Sequence, residues 1–253
     1  MGPLLVLLFL VPALCPFSPA EGRQVRNKAV ASVSTTLRAI QKEIVNKHNE
    51  LRRDVEPSAS NMLKMSWSAK AAANAQRWAE QCNYKHSDSK FRATNLSCGE
   101  NLFMSTHLTT WSHAIQSWYD EYLDLIFGQG PTNPGAVVGH YTQVVWYASY
   151  LVGCGVAYCP QQYLKVYMVC HYCPAGNFRP RLYSPYKAGE PCSLCPDDCD
   201  NGLCTNSCAY EDNYANCKDL KKSVTCKHPM VKNNCGASCN CSNKIYNGPI
   251  TDD

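Results

Sequence analysis

The side chains with the most chemical capacity in this 253-residue sequence are its 17 cysteines. Two pairs, Cys170-x-x-Cys173 and Cys192-x-x-Cys195, stand at the spacing of zinc knuckles. Thiolates so spaced can hold a metal, but thiols in an oxidising compartment pair with each other instead. The first residues decide between the two. Met1 to Ala20 carry no charged side chain, and Leu4 to Val11 form an apolar run, far shorter than the ~20 residues of a membrane-spanning helix. Pro12 and Pro16 break it, and Ser18-Pro19-Ala20 offers the small residues that signal peptidase accepts. Cleavage after Ala20 or Gly22 is expected, giving a secreted, extracellular chain with no later segment apolar enough to cross a membrane. Removal of Cys15 leaves 16 cysteines, an even number that can pair completely. Disulfides are therefore expected rather than zinc-thiolate sites.

Other chemistries are poorly served. The sequence has no His-Glu-x-x-His helix motif, which removes the zincin protease design. It has no serine or cysteine nucleophile motif either. From Cys192 onward there are six Lys against eight Asp or Glu, so the net charge of +4 resides in the earlier part. That basic excess is neither clustered nor interleaved with aromatics, and nucleic-acid binding is not expected. Two glycosylation sequons occur, Asn95-Leu96-Ser97 and Asn240-Cys241-Ser242. The first lies in a polar loop and suits a glycan, whereas the second straddles a cysteine in a cramped turn.

Elements must position whatever does the chemistry. Leu37, Ile40, Ile44, His48 and Leu51 recur at helical steps until Pro57. Trp67, Ala71, Trp78 and Cys82 predict a second helix, and Trp111, Ile115, Trp118, Tyr122 and Ile126 a third, closed by Gly128. After Gly139 the period changes to two. Tyr141 to Trp146, Leu151 to Tyr158 and Leu164 to Tyr172 read as strands. Helices followed by short strands with hairpin-length connections imply an α+β fold, an antiparallel sheet covered by helices. Six cysteines fall between Cys82 and Cys173, in a part long enough to bury a core. Ten crowd into Cys192 to Cys241, where apolar residues are too few and cross-links must hold the fold. Arg179 to Pro191, with three prolines, reads as the connection, so cutting near Arg181 or Lys187 would leave two parts.

Four stretches now identify a resemblance. Gly139-His-Tyr-Thr-Gln-Val-Val-Trp146 and His171-Tyr-Cys-Pro-Ala-Gly-Asn-Phe178 resemble the two signatures of the CAP superfamily, and Lys47-His-Asn-Glu-Leu-Arg-Arg53 and Cys98-Gly-Glu-Asn-Leu102 fit it. The last six cysteines are spaced by eight, eight, eight, three and one residues. With the hinge before them they resemble the C-terminal domain of vertebrate cysteine-rich secretory proteins.

The resemblance implies an α-β-α sandwich over 33–178, a linker and cysteine-rich hinge over 179–207, and a short-helix cysteine-rich domain over 208–241. Six cysteines alone allow about fifteen pairings. The family would pair Cys82 with Cys159, Cys98 with Cys173, Cys154 with Cys170, Cys192 with Cys199 and Cys195 with Cys204. In the tail it would pair Cys208 with Cys241, Cys217 with Cys235 and Cys226 with Cys239. It also implies one cleft formed by His86, Glu100, Glu121 and His140. There the imidazoles would hold a divalent ion such as zinc weakly, and the carboxylates would orient them. The tail resembles channel-blocking toxin domains of sea anemones, although Lys232 has Asn233 beside it and no aromatic. Tyr210, Tyr214, Lys218, Lys221 and Lys222 remain as a contact surface for a membrane ion channel or a cell-surface protein. The function implied is a monomeric, non-enzymatic binding protein of the reproductive tract or other secretions, acting on sperm or egg surfaces. Metal-dependent hydrolysis in the His-Glu cleft and sterol carriage by the aromatics between Trp118 and Phe127 are the alternatives.

Overall fold

The computed structural model describes residues 28–248. The expected signal peptide, Cys15 included, lies outside the described residues. The central sheet has four strands in the order β1-β5-β6-β2. These are β1 (Ser66–Trp67), β2 (Gly99–Ser105), β5 (Leu151–Tyr158) and β6 (Val166–Cys173). The β5–β6 and β6–β2 pairs are antiparallel, and β1 runs parallel to β5.

All eight residues of β6 are buried, because helices cover both faces of the sheet. Met168, Cys170 and Tyr172 join the core formed by α1 (Arg38–Arg53) and α4 (Trp111–Tyr119). Tyr167 and Val169 alternate with them and pack on α2 (Ala69–Ala79). This makes an α-β-α sandwich. The alanines of α2 approach β5 so closely that a Cβ on Gly153 or Gly155 would collide with helix backbone. Glycine at those two positions is what brings the layers into contact.

Helix α1 is the anchor of the opposite layer. His48 joins Ile44 O and the Tyr172 hydroxyl at 2.8 and 3.0 Å, and Asn49 bonds both backbone groups of Met65. Arg52, fully buried, donates to the carbonyls of Leu63, Val144, Trp146, Tyr147 and Ser149.

Those carbonyls explain one correction. The stretch expected as a strand, Tyr141 to Trp146, lies largely in helix α5 (Gly139–Val144). Its β-branched and aromatic residues favour extension, but such preferences yield to tertiary partners. Glu121 takes the amides of His140 and Tyr141 at the start of α5, while Arg52 takes carbonyls at and beyond its end. The third predicted helix is also shorter than its pattern. It ends at Tyr119, a 3-10 turn covers Asp120–Asp124, and β3 (Leu125–Ile126) pairs with β4 (Gly130–Pro131). Gly128, at φ +77°, serves the turn between those two strands rather than a helix end. The second helix omits Trp67 and Cys82. Trp67 is taken into β1, and Cys82 has left-handed φ.

The connecting stretch is fastened to the large domain. Ser60 N donates to Lys187 O and Tyr147 N to Pro185 O, and Tyr186 is buried. Beyond it, β7 (Cys199–Asp200) and β8 (Leu203–Cys204) form a hairpin whose Cys204 exchanges backbone bonds with Met62 and Lys64. Among the described residues the tail carries three short helices, α6 (Cys217–Ser223), α7 (Pro229–Asn234) and α8 (Gly236–Asn240).

Eight disulfides join Cys82–Cys159, Cys98–Cys173, Cys154–Cys170, Cys192–Cys199, Cys195–Cys204, Cys208–Cys241, Cys217–Cys235 and Cys226–Cys239. None of them crosses the connecting stretch. Among the described residues no helix is long and apolar enough to cross a membrane.

Candidate functional site

Strand β2 lies at one edge of the sheet, and its first residues carry the histidine–carboxylate chemistry. Glu100 faces the α2 side, where both its oxygens are occupied. Oε1 accepts from His86 Nδ1 at 2.9 Å and Ser87 N at 2.8 Å. Oε2 accepts from the Ser87 hydroxyl at 2.7 Å and His171 Nε2 at 2.9 Å. Burial alone would raise this carboxyl, but hydrogen bonds from His171, His86 and Ser87 outweigh it and hold Glu100 well below the usual carboxylate range.

Asn101 points to the opposite face, where its amide donates to His140 O at 3.0 Å. There Glu121 accepts from His140 Nδ1 at 2.6 Å, while its other oxygen takes the His140 and Tyr141 amides. Trp118 stacks on the His140 ring at 6.4 Å and donates to Leu102 O.

The structure thus brings His86 to Glu100 and His140 to Glu121, as two pairs flanking the start of β2. Each imidazole commits Nδ1 to a carboxylate, which leaves the Nε2 lone pair to take a ligand. His86 is well exposed and His140 partly so. Among the described residues no three of these histidine and carboxylate donors lie within 4.8 Å of one another. Cys192, Cys195 and Cys204 do cluster that closely, but their sulfurs are in disulfides and cannot act as thiolates.

His171 is the participant that sequence reasoning missed. It is completely buried, and burial lowers its affinity for a proton against the opposing pull of Glu100. The neutral ring must therefore place its proton on Nε2 to meet the carboxylate, which leaves Nδ1 without a partner among the described residues. The available signal was a histidine on a strand that is otherwise apolar and aromatic. Its register opposite Glu100 came only with the sheet.

The tail candidates lie on α6 and in the loop before it. Tyr210 and Tyr214 are exposed in the preceding loop, Lys222 is exposed, and Lys221 bonds Ser238 O at 2.7 Å. Lys218 is half-buried on the same helix. Asn95 is exposed, and the Ser97 hydroxyl of its sequon is bound to Glu211. Asn240 is exposed too, but its side-chain amide bonds Gly236 O within α8.

Comparison with known proteins adds the following. The CAP family model, described as the cysteine-rich secretory protein family, matches residues 45–172, and the Crisp model matches 192–246. The chain is 63% identical over 242 residues to cysteine-rich secretory protein 3 of Homo sapiens, covering 95% of this chain and 98% of that one. It is 53% identical over 240 residues to the cysteine-rich venom protein VAR11 of Varanus varius, covering 94% and 97%. Among solved structures, that of NaASP2 with Zn2+ is 32% identical with a TM-score of 0.57, over 67% of this chain and 96% of that one.

Proposed function

The chain belongs to the cysteine-rich secretory protein family, and on that premise we propose that it is a secreted, monomeric binding protein and not an enzyme. Its cysteine-rich tail regulates a membrane ion channel or another cell-surface protein, on sperm or egg among other cells. The observation that carries binding over catalysis is the state of the two carboxylates. Every oxygen of Glu100 and Glu121 already accepts hydrogen bonds from the chain itself. Carboxylates so engaged are poorly placed to act as the base themselves, and the sequence has no serine or cysteine nucleophile motif for the imidazoles to activate. These carboxylates instead orient imidazoles.

His86 and His140 accordingly hold a divalent ion such as zinc through Nε2, and weakly, because two ligands fall short of the usual three or four. The zinc in the NaASP2 structure supports that choice of ion. A bound ion would supply a cationic centre with open positions for a partner's oxygen atoms.

Patch-clamp of cells bearing calcium-conducting channels, with the full chain applied outside, tests the reading. Tyr210→Ala with Lys222→Glu should abolish inhibition, and His86→Ala with His140→Ala should leave it. The reverse pattern would move the function from the tail to the histidines.

A further inference from the structure

We propose that the groove between the large domain and the tail binds a phosphocholine headgroup, and through it a membrane surface rich in choline lipids. The groove has a volume of about 620 Å³, within the range of roughly 300–1,000 Å³ for small-ligand sites, which favour domain junctions. Its walls are fixed before any ligand arrives. Ser97 gives its amide and hydroxyl to Glu211 at 2.7 and 2.5 Å, and Trp146 Nε1 donates to Asn247 at 2.7 Å.

Charges of both signs face this space. Arg181 comes from the large-domain side, and Glu211 and Asp212 come from the tail. Arg181 donates one N–H to the Tyr147 hydroxyl at 3.1 Å and lies 5.6 Å over that ring, so its direction is set. A guanidinium has five N–H donors, and the remaining fork suits two oxygens of a phosphate.

Two half-exposed rings, Phe178 and Tyr214, line the recess, with Phe178 edge-on to the buried Trp146 at 5.9 Å. Aromatic faces beside fixed negative charge attract a cation. Which cation follows from the carboxylates. Glu211 is held by Ser97, and Asp212 by Ser238 N and Oγ at 2.9 and 2.5 Å. Each of the four oxygens already accepts one hydrogen bond, and the charge remains. A primary ammonium is strongly hydrated and would have to share those oxygens with the serine donors. A trimethylammonium group has no N–H, and requires only charge and ring faces. Phosphate on Arg181 and a quaternary amine on the rings together specify phosphocholine over phosphoethanolamine. The inference does not depend on the channel reading.

Titration calorimetry of the full chain with phosphocholine, choline and phosphoethanolamine tests it, alongside sedimentation with phosphatidylcholine or phosphatidylglycerol vesicles. Phosphocholine should bind saturably and should displace the protein from phosphatidylcholine vesicles. Phe178→Ala and Tyr214→Ala, both at half-exposed positions, should each weaken binding about tenfold, while Tyr214→Phe keeps it. Arg181→Gln should reduce phosphocholine to the affinity of choline. Absence of saturable binding, equal or tighter binding of phosphoethanolamine, indifference to all these substitutions, or preference for phosphatidylglycerol would each overturn the proposal.

Discussion

The large domain buries Trp111, Trp146, Tyr167, Tyr172, Ile44 and Met168 without remainder, and its sheet is covered on both faces. At the centre of the tail are Cys217, Cys235 and Val231, with Cys208, Ala237 and Cys241 in a second small cluster. Two disulfides make the contrast quantitative. Cys154–Cys170 spans 16 residues between adjacent strands, and Cys217–Cys235 spans 18 in the tail. Loops so alike in length give the same entropic stabilisation, about 3 kcal/mol on the chain-entropy account. Any difference in their importance must therefore come from what else holds each region. In the large domain that is apolar burial, and in the tail the sulfurs are themselves most of the core.

The largest expected effect would break the comparison, because it makes the large domain depend on one residue. Arg52→Ala removes a donor from five buried carbonyls, Leu63 beside β1 and four at the end of α5 and in the loop to β5. Trp146 O and Tyr147 O keep the amides of Ser149 and Leu63, and the carbonyls of Leu63, Val144 and Ser149 lose the guanidinium. Unsatisfied buried carbonyls cost about 1–3 kcal/mol each, so these three amount to a loss of about 3–9 kcal/mol. Secretion yield and the denaturant midpoint should both collapse. A midpoint close to that of the unaltered protein would show that packing alone defines this layer.

The disulfides come next. Cys154→Ala with Cys170→Ala should lower the stability of the large domain by about 3 kcal/mol and leave it folded. Cys217→Ala with Cys235→Ala should unfold the tail while the large domain keeps its structure. Heteronuclear NMR of both variants separates the outcomes, since the two regions give distinct sets of amide signals. A tail that stayed dispersed without Cys217–Cys235 would contradict the view that sulfur forms its core.

How far these regions were legible in the sequence follows the same division. Strand β5 fell on the expected Leu151–Tyr158, and α1 lay within two residues of its pattern, because each carries its own periodic apolar surface. The short helices of the tail had no period to display, since they bury cysteines chosen for their partners. Helix α5 was misread because the groups that make it a helix lie elsewhere. Glu121 stands about twenty residues before its start, and Arg52 is on another helix. The same limit applies around Glu100. His86 and Glu100 were named from the resemblance, but His171, which completes the carboxylate's bonding, depends on strand register. Arg52 lay in a quoted motif, one turn after His48 on the buried side of α1, and that placement of a cation was the sign of its role.

Acid should sharpen the comparison, since it acts first on groups buried in the large domain. Burial holds His48 down to about 4, against the hydrogen bond it makes to the Ile44 carbonyl. A histidine depressed this way contributes its full stability above the unfolded value of 6.5 and loses it as pH falls from there towards 4. The loss is about 3 kcal/mol. His171 is shifted in the same direction by its burial. Glu100, held below its ordinary value, adds stability that disappears only as pH drops below 4.5. In the tail His228 is exposed. Urea midpoints at pH 7, 5.5 and 4.5 should fall for the large domain more than for the tail, and His48→Gln should flatten the first part of that fall. Equal sensitivity of both regions would show that the buried histidines do not govern it.

The smallest expected change in stability belongs to the pair of histidines that the proposed ion would use. After His86→Ala, Glu100 still accepts from Ser87 and His171. After His140→Ala, Glu121 still accepts two amides at the start of α5, because those donors are backbone. Neither carboxylate becomes a buried charge without a partner, so the usual source of a large loss is absent. The double variant should stay within about 1 kcal/mol of the unaltered protein and be secreted normally. Zinc is another matter. Both Nε2 atoms are removed, and the one carboxylate oxygen that loses its donor, Glu121 Oε1, is too little to hold the ion alone. Calorimetric zinc binding should vanish in the variant, and in the unaltered protein it should weaken in acid as protonated imidazoles cease to ligate. Equal zinc binding by both forms would take the ion away from these residues. A double variant that failed to fold would mean that His86 and His140 hold the start of β2 and of α5 together, as structural residues of the large domain.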